Sequence, residues 1–353
     1  MKIENRVPSI QDSALRTRHS GLRWEAAMKT LFSIPLVVAV VVVAAVAHAQ
    51  QPKKVPRIGF LAQSDSNSQS TEAIRLALRQ LGYIEGQNIA IEYRLAMGRN
   101  ERLNELAEEL VRSGVDLIVT EGTPSTQAAI RATKGTIPVV FGSMQDPVEK
   151  GFVASLARPG GNVTGNALIG DHIKPLALLK EAVPTVSQVA FVYDPATRPG
   201  EYGQAKLAEL RSHALALGVA IRPVELRSPA DLERTFTDLP GDIDALLLEN
   251  SVVNIVAQQR LCGLATARKL PSAGTFPDFS RSGCLVSYGE NLSLIYRNAA
   301  SFVDKILRDG VKPGDLPVQQ PSKFELVVNL RTAKALGITI AEPFLVLADE
   351  VIE

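Results

Sequence analysis

The chain has 353 residues, of which 46% are hydrophobic and 21% charged, and its 38 basic residues nearly balance its 37 acidic ones. This balance excludes an unfolded polyelectrolyte and a strongly basic nucleic-acid-binding protein. The 25 glycines and 21 prolines are near average, which excludes collagen-like and low-complexity chains, and the length favours two domains.

Residues 31–47 form a long apolar run near the start of the chain, with basic Lys29 before it and Ala47-His48-Ala49 at its end. A basic start, an apolar middle and small residues at the exit predict a secretory signal peptide that is cleaved before Gln50. The alternative is a membrane anchor. It is disfavoured because 17 residues with Pro35 among them are short for a membrane span.

Cleavage at this point leaves 304 residues, and loss of six basic and three acidic residues changes the formal net charge from +1 to −2. Residues 1–27 precede a second start at Met28 and are interpreted as an over-extended reading of the gene, with a long leader region as the alternative. No cysteine lies near the cleavage site, so we expect a periplasmic protein without a lipid anchor.

From Val55 onward, short apolar runs alternate with amphipathic stretches. VPRIGFLAQS and VDLIVT are typical of strands, whereas STEAIRLALRQLGY and ERLNELAEELVRSG are typical of helices. Continuous apolar strands alternating with helices predict an α/β fold with parallel sheets covered on both faces.

The alternation starts again after the glycine-rich segment 160–165. Two similar α/β units predict two lobes with a cleft between them, where the loops that follow the strands collect a ligand. A single β/α barrel is the alternative, since roughly eight strand–helix pairs can be counted. The glycine-rich interruption argues against the barrel.

Motifs of catalysis and nucleotide binding are absent from the sequence: G-x-S-x-G, H-E-x-x-H, the phosphate loop and G-x-G-x-x-G. His172 and His213 are isolated and are interpreted as structural or surface residues. We therefore expect neither an enzyme, nor a metal, nor a cofactor. The alternative is a secreted α/β hydrolase with Asp146 or Asp194 as its base.

Cys262 and Cys284 are the only cysteines, and their spacing is not that of a metal site. In an oxidising compartment they could form a disulfide, or they could be two buried thiols.

Small polar residues follow the predicted strands, and Thr123 opens a helix whose N-terminus favours an anion. The alternatives are a helix cap without a ligand and, at Asp146-Pro147 and Asp194-Pro195, simple turns. The predicted ligand-binding residues are Ser64, Thr123, Ser125, Ser143, Gln145, Asp146, Tyr193, Asp194, Asn250, Thr275 and Tyr288.

Four separated segments carry a family resemblance: IPVVFGSMQDPVEKGFVASLARPGGNVTG, LGYIEGQNIAIEYR, LVSYGENLSLIYRNAASFVDKIL and PSKFELVVNLRTAKALGI. Together they resemble the ABC-transporter substrate-binding proteins, a family that includes the tryptophan- and tyrosine-binding lipoproteins of Gram-positive bacteria. The resemblance runs from about Val55 to the end of the chain.

The resemblance implies a type I periplasmic-binding-protein fold, in which two Rossmann-like lobes close on a small molecule by a hinge. It places the crossovers near 163–166, 287–290 and 318–328. The first lobe would comprise residues 50–164 with 288–318, and the second lobe residues 165–287 with 319–353.

The implied function is that of a periplasmic, monomeric solute-binding component of an ABC uptake transporter. It would bind an amino acid or another aromatic or carboxylate compound and deliver it to a permease in the inner membrane, without a nucleic-acid partner. The characterised amino-acid binders are lipid-anchored, whereas this chain lacks the anchoring cysteine. A ligand-presenting sensory protein is the alternative within the same fold.

Overall fold

The structure is a computed structural model that describes residues 54–65, 68–169, 172–198 and 200–353. The predicted signal peptide and the residues before it lie outside this range. Within the range, no helix combines the length and the apolar character that crossing a membrane requires.

The first sheet contains five parallel strands in the order β2-β1-β3-β4-β5. Its strands are β1 (Arg57–Ala62), β2 (Ala90–Leu95), β3 (Leu117–Thr120), β4 (Val139–Gln145) and β5 (Val163–Leu168). β3, β4 and β5 are buried along their whole length, as expected for strands that are covered on both faces.

Three helices connect the strands of this sheet: α1 (Gln69–Gln80), α2 (Leu103–Ser113) and α3 (Thr123–Thr133). α1 begins after Ser68, whose hydroxyl accepts a hydrogen bond from the Thr71 backbone N–H. α2 ends at Gly114 in the left-handed conformation, with a φ of 73°, which glycine adopts without steric cost.

The second sheet contains seven strands in the order β12-β11-β10-β9-β8-β6-β7. Its strands are β6 (Gln188–Tyr193), β7 (Ala220–Glu225), β8 (Ala245–Leu248), β9 (Ser272–Gly274), β10 (Val286–Glu290), β11 (Phe324–Asn329) and β12 (Glu350–Ile352). The expectation of purely parallel sheets is wrong at one place, because β11 pairs antiparallel with β10.

In the described part of the chain, eight further helices follow in chain order. They are α4 (Ile173–Ala182), α5 (Gly200–Ala216), α6 (Leu232–Thr237), α7 (Val252–Ala267), α8 (Pro277–Arg281), α9 (Leu292–Asp309), α10 (Leu330–Leu336) and α11 (Glu342–Leu345). Although α9 follows β10, it packs against α1 and against strands β4 and β5 of the first sheet. We call the first sheet with its helices and α9 the first lobe, and the second sheet with its helices the second lobe.

The chain therefore passes between the lobes three times: after β5, after β10, and again before β11, where Gln319 still pairs with Asn166. The boundaries expected at 164 and 287 fall inside β5 and β10. The sheet ladders extend these strands to Leu168 and Glu290. Two separate open sheets exclude the single barrel.

Cys262 on α7 and Cys284 before β10 form a disulfide, with 4.8 Å between their Cα atoms. Both cysteines are fully buried and belong to a large apolar cluster that continues through the α1 and α9 side chains. The bridge thus links the helix that follows β8 to the start of the strand from which the chain leaves the second lobe.

Candidate ligand-binding cleft

A cavity of about 30 Å³ lies where the carboxyl ends of strands from both lobes meet. This is the position at which open α/β sheets bind ligands. We call it the cleft cavity. It is lined by Gln63, Gly122, Thr123, Pro124, Ser143, Met144, Gln145, Leu168, Thr197, Asn250, Ser251, Val252, Ile255, Phe276, Leu292 and Tyr296.

The N-termini of two helices, one from each lobe, face the cleft cavity. α3 begins at Thr123 after Gly122, and α7 begins at Val252 after Ser251, whose hydroxyl accepts a hydrogen bond from the Asn254 backbone N–H. The partial positive charge of both helix ends favours a negatively charged ligand group between them.

Two amide side chains meet across the cleft cavity, since Gln145 Nε2 of the first lobe donates a hydrogen bond to Asn250 Oδ1 of the second lobe. Asn250 Nδ2 and the Oε1 atom of Gln63 are buried and have no hydrogen-bond partner among the described residues. The cavity therefore presents one free donor and one free acceptor to a ligand.

Most of the remaining wall is apolar and includes an aromatic ring from α9. Tyr296 donates a hydrogen bond over 2.7 Å to the Glu121 carbonyl oxygen, and its hydroxyl lies 3.0 Å from Ser143 Oγ. Burial raises the pKa of Tyr296 above its usual value. With its hydroxyl bonded to protein, this residue adds only its ring to the apolar wall, which also includes Met144, Leu168, Ile255 and Phe276.

Two buried glutamates hold the loops that line the cleft cavity. Glu121 accepts hydrogen bonds from the backbone N–H groups of Gln63 and Ser64 at 2.8 and 2.9 Å. Glu249 accepts one from the Asp194 N–H at 2.9 Å and forms a buried ion pair with Arg198 at 2.6 Å. Each carboxylate thus fixes the turn after the first strand of its lobe.

Beside the cleft cavity lies a second cavity of about 170 Å³, and direct contacts between the lobes line it. Tyr202 on α5 donates a hydrogen bond to the Asp146 carboxylate of the first lobe. Lys206 Nζ lies 3.4 Å from Glu149 Oε2, and Lys150 Nζ lies 4.7 Å from the centroid of the Tyr202 ring. Burial lowers the pKa of Lys150 to about 8, against the opposing effect of Asp146.

A third contact between the lobes joins Asn100, before α2, to Asp194, after β6. Asn100 Nδ2 donates to Asp194 Oδ2 over 3.4 Å, and the other oxygen of this carboxylate accepts from the Ala196 N–H. Asp194 is only 1% exposed. Burial raises its pKa to about 7, and the nearby Glu249 carboxylate adds to this shift.

Four of the predicted ligand-binding residues line the cleft cavity: Thr123, Ser143, Gln145 and Asn250. Asp146 lines the neighbouring cavity instead. Ser143 and Gln145 lie in the last part of β4, Asp146 and Asn250 follow β4 and β8, and Thr123 begins the helix after β3.

The other predicted residues make contacts within their own lobe or, at Asp194, with Asn100. Ser64 and Ser125 bond to Glu121 and Gly122, and the Thr275 hydroxyl bonds to the Leu248 carbonyl oxygen. Tyr193 stacks on Phe191 and Tyr288 on Phe324, with ring centroids 5.6 and 5.7 Å apart.

The sequence did not indicate Gln63 or Tyr296 as cleft residues. Gln63 directly follows β1, so the rule that ligands collect after parallel strands could have included it. Tyr296 lies in the middle of a long amphipathic helix, and only the return of α9 to the first lobe brings its ring to the cleft.

Two α/β lobes that present their loops to a shared cavity define a ligand-binding protein of the type I periplasmic-binding-protein fold. Residues 58–352 match the family described as ABC transporter substrate binding protein. The chain belongs to this family.

Relatives of known name extend the comparison. The tyrosine-binding protein of Clostridioides difficile (strain R20291) is 27% identical over 288 residues, which cover 81% of this chain and 82% of that protein. A Streptococcus pneumoniae ABC domain, solved in complex with L-Trp, is 25% identical with a TM-score of 0.75, over 84% of this chain and 99% of that one. A conserved domain protein from Vibrio cholerae is 29% identical with a TM-score of 0.75, over 84% of this chain and its own full length.

Proposed function

We propose that this protein is the periplasmic solute-binding component of an ABC uptake transporter and that its ligand is an aromatic amino acid, with tryptophan and tyrosine as the first candidates. We infer the ligand class from the cleft cavity, which has a polar part and an apolar part. Two helix N-termini and free amide atoms lie beside an apolar wall that includes Phe276 and Tyr296. An aromatic amino acid likewise has a polar end and an apolar ring. The names of two relatives support an aromatic amino acid as the ligand.

The mechanism requires no covalent step. A ligand that contacts both lobes binds the closed state more tightly than the open one, and this difference in affinity shifts the population towards closure. We propose that ligand entry requires the lobes to separate, because a hydrogen bond between Gln145 and Asn250 joins them across the cleft cavity. The contacts Gln145–Asn250, Tyr202–Asp146 and Asn100–Asp194 break when they do.

The closed protein would then deliver its ligand to the permease in the inner membrane. We propose that the protein acts as a monomer that is released into the periplasm by cleavage before Gln50. A sensory protein would use the same cleft and differ only in its membrane partner. Identification of the neighbouring genes tests this: a permease gene would favour transport, and a kinase gene would favour sensing.

Isothermal titration of the purified mature protein with L-tryptophan, L-tyrosine and L-phenylalanine tests the ligand class, with L-glutamate and L-lysine as comparison ligands. We expect at least one aromatic amino acid to bind at low micromolar concentration or tighter and to raise the melting temperature. If acidic or basic amino acids bind as tightly as the aromatic ones, the proposed class is wrong.

A matched pair of variants on α7 tests the location. Ile255 lines the cleft cavity, whereas the next residue, Val256, is 50% exposed on the outer side of the helix. Ile255→Trp should fill the cavity and abolish aromatic amino acid binding, while Val256→Trp should leave the affinity within about twofold. Equal effects of the two substitutions would place the ligand elsewhere.

A further inference from the structure

Gln63 and Asn250 face the cleft cavity from opposite lobes with complementary free atoms. Gln63 is 2% exposed, and its Oε1 is a buried acceptor without a hydrogen-bond partner among the described residues. Asn250 Nδ2 is a buried donor in the same situation. Leaving such atoms unpaired in a protein interior is costly, so they indicate groups that a ligand satisfies.

A hydrogen-bonded chain fixes which atom of the Gln63 amide faces the cavity. At pH 8, above its pKa of about 7, the Asp194 carboxylate is ionised and only accepts, so Asn100 directs Nδ2 towards it at 3.4 Å. Asn100 Oδ1 then accepts from Gln63 Nε2 at 2.8 Å, which leaves Gln63 Oε1 for the cavity. Gly122 permits this placement, because a Cβ there would lie 3.0 Å from Gln63 Oε1.

The buried glutamates of the two lobes, Glu121 and Glu249, differ in whether a cation pairs with them. The buried Glu249 carboxylate is neutralised by Arg198 in the second lobe. Among the described residues, no cation lies within ion-pair distance of Glu121, the carboxylate that accepts from the Gln63 backbone N–H. The Gln63 side of the cavity therefore favours a positive ligand group.

From this arrangement we infer that the site recognises the zwitterionic α-amino acid group. Gln63 Oε1 accepts a hydrogen bond from the ligand's ammonium group, and Asn250 Nδ2 donates to its carboxylate beside the N-terminus of α7. This inference rests on the proposed function and specifies it, since it excludes aromatic acids that lack the amino group as good ligands.

Titration of the wild-type protein at pH 8 with L-tryptophan, indole-3-propionate and tryptamine tests the inference without any substitution. The second compound lacks the ammonium group and the third lacks the carboxylate. We expect each analogue to bind about 10-fold to 100-fold more weakly than L-tryptophan, the range for one hydrogen bond to a charged group. Equal affinity for L-tryptophan and indole-3-propionate would overturn the inference.

Gln63→Met removes the acceptor at nearly constant volume. It should weaken L-tryptophan binding about 10-fold and leave indole-3-propionate unchanged, so the preference between them collapses. Asn250→Ala should weaken both compounds alike, because both carry the carboxylate. If Gln63→Met weakened the binding of L-tryptophan and indole-3-propionate equally, Gln63 would have only a structural role. The assignment of its Oε1 to the ammonium group would then be refuted.

The two proposals fail in different ways. If other α-amino acids bind and the aromatic ones do not, the proposed ligand class is wrong, and the preference for the ammonium group is then measured with the amino acid that binds and its desamino analogue. If none of the twenty amino acids binds, both proposals are refuted.

Discussion

Glu121 and Glu249 occupy equivalent positions in the two lobes. Each directly follows the strand that pairs with the first strand of its sheet, β3 beside β1 and β8 beside β6. Each accepts hydrogen bonds from the backbone after that first strand. Burial of a carboxylate is tolerated when hydrogen bonds compensate for lost hydration, so both glutamates are structural supports of the cleft.

The two glutamates should nevertheless differ in their contribution to stability. Glu249→Ala leaves Arg198 as a buried unpaired charge and should lower the free energy of unfolding by about 3 to 5 kcal/mol. Glu121→Ala strands only neutral donors and should cost about 1 to 3 kcal/mol. Urea denaturation measures both, with the exposed Glu108→Ala as a control that should cost under about 1 kcal/mol. Equal losses of unfolding free energy for Glu249→Ala and Glu108→Ala would contradict the structural role of Glu249.

The alternation of strands and helices could be predicted from the sequence because each buried strand of this kind is a local apolar run, such as VDLIVT at β3. The strand β5 could not be predicted, because the glycine-rich stretch at its start indicates a break between α/β units. Its strand conformation depends on pairing with the distant β4. The antiparallel β11 likewise depends on a partner strand and not on local preference.

The candidate site was predictable to the extent that it follows strand ends. Thr123, Ser143, Gln145 and Asn250 obey this rule and line the cleft cavity. Tyr193 also ends a strand, but side chains two apart share a face of the sheet, so its ring stacks on Phe191. Which polar atoms remain unpaired depends on contacts between the lobes, and no local pattern encodes these.

The hydrogen bond from Tyr202 to Asp146 should stabilise the closed state. Tyr202→Phe removes this bond between the lobes and should weaken ligand binding about 10-fold, as expected for a bond to a charged group. The measurement is the dissociation constant for whichever amino acid binds the wild-type protein.

Tyr193→Phe is the matched control for this substitution. It also removes one hydroxyl, but the Tyr193 hydroxyl bonds to Glu225 within the second lobe, at 3.3 Å. We expect its affinity to stay within about twofold of the wild type. If both variants bind equally well, the Tyr202 contact makes no contribution to closure.

The disulfide should contribute to the stability of the second lobe. Cys262 and Cys284 are 22 residues apart, and closing a loop of this length in the unfolded chain stabilises the folded state by about 3 kcal/mol. The Cys262→Ala, Cys284→Ala double variant should lose this amount in chemical denaturation, and reducing agent should lower the stability of the wild type only. A reductant effect of equal size in both proteins would exclude the bridge as its cause.

Protonation of Asp194 should make the stability of the protein depend on pH. Its pKa is about 7 in the folded state, raised by burial above the ordinary value of 3.8. Between these two values the folded protein retains a proton that the unfolded chain has released. The contribution to stability is therefore full below pH 4, falls as the pH rises and is lost above pH 7.

Asp194→Asn removes this titration, while Glu249 and Arg227, the charged groups that act on it, remain in place. From pH 5 to pH 8, the free energy of unfolding of the wild type should fall by about 2 kcal/mol more than that of the variant. Urea denaturation of both proteins at the two pH values gives the difference and cancels the titration of all other groups. Parallel pH profiles would show that Asp194 titrates at the same pH in the folded and unfolded chain.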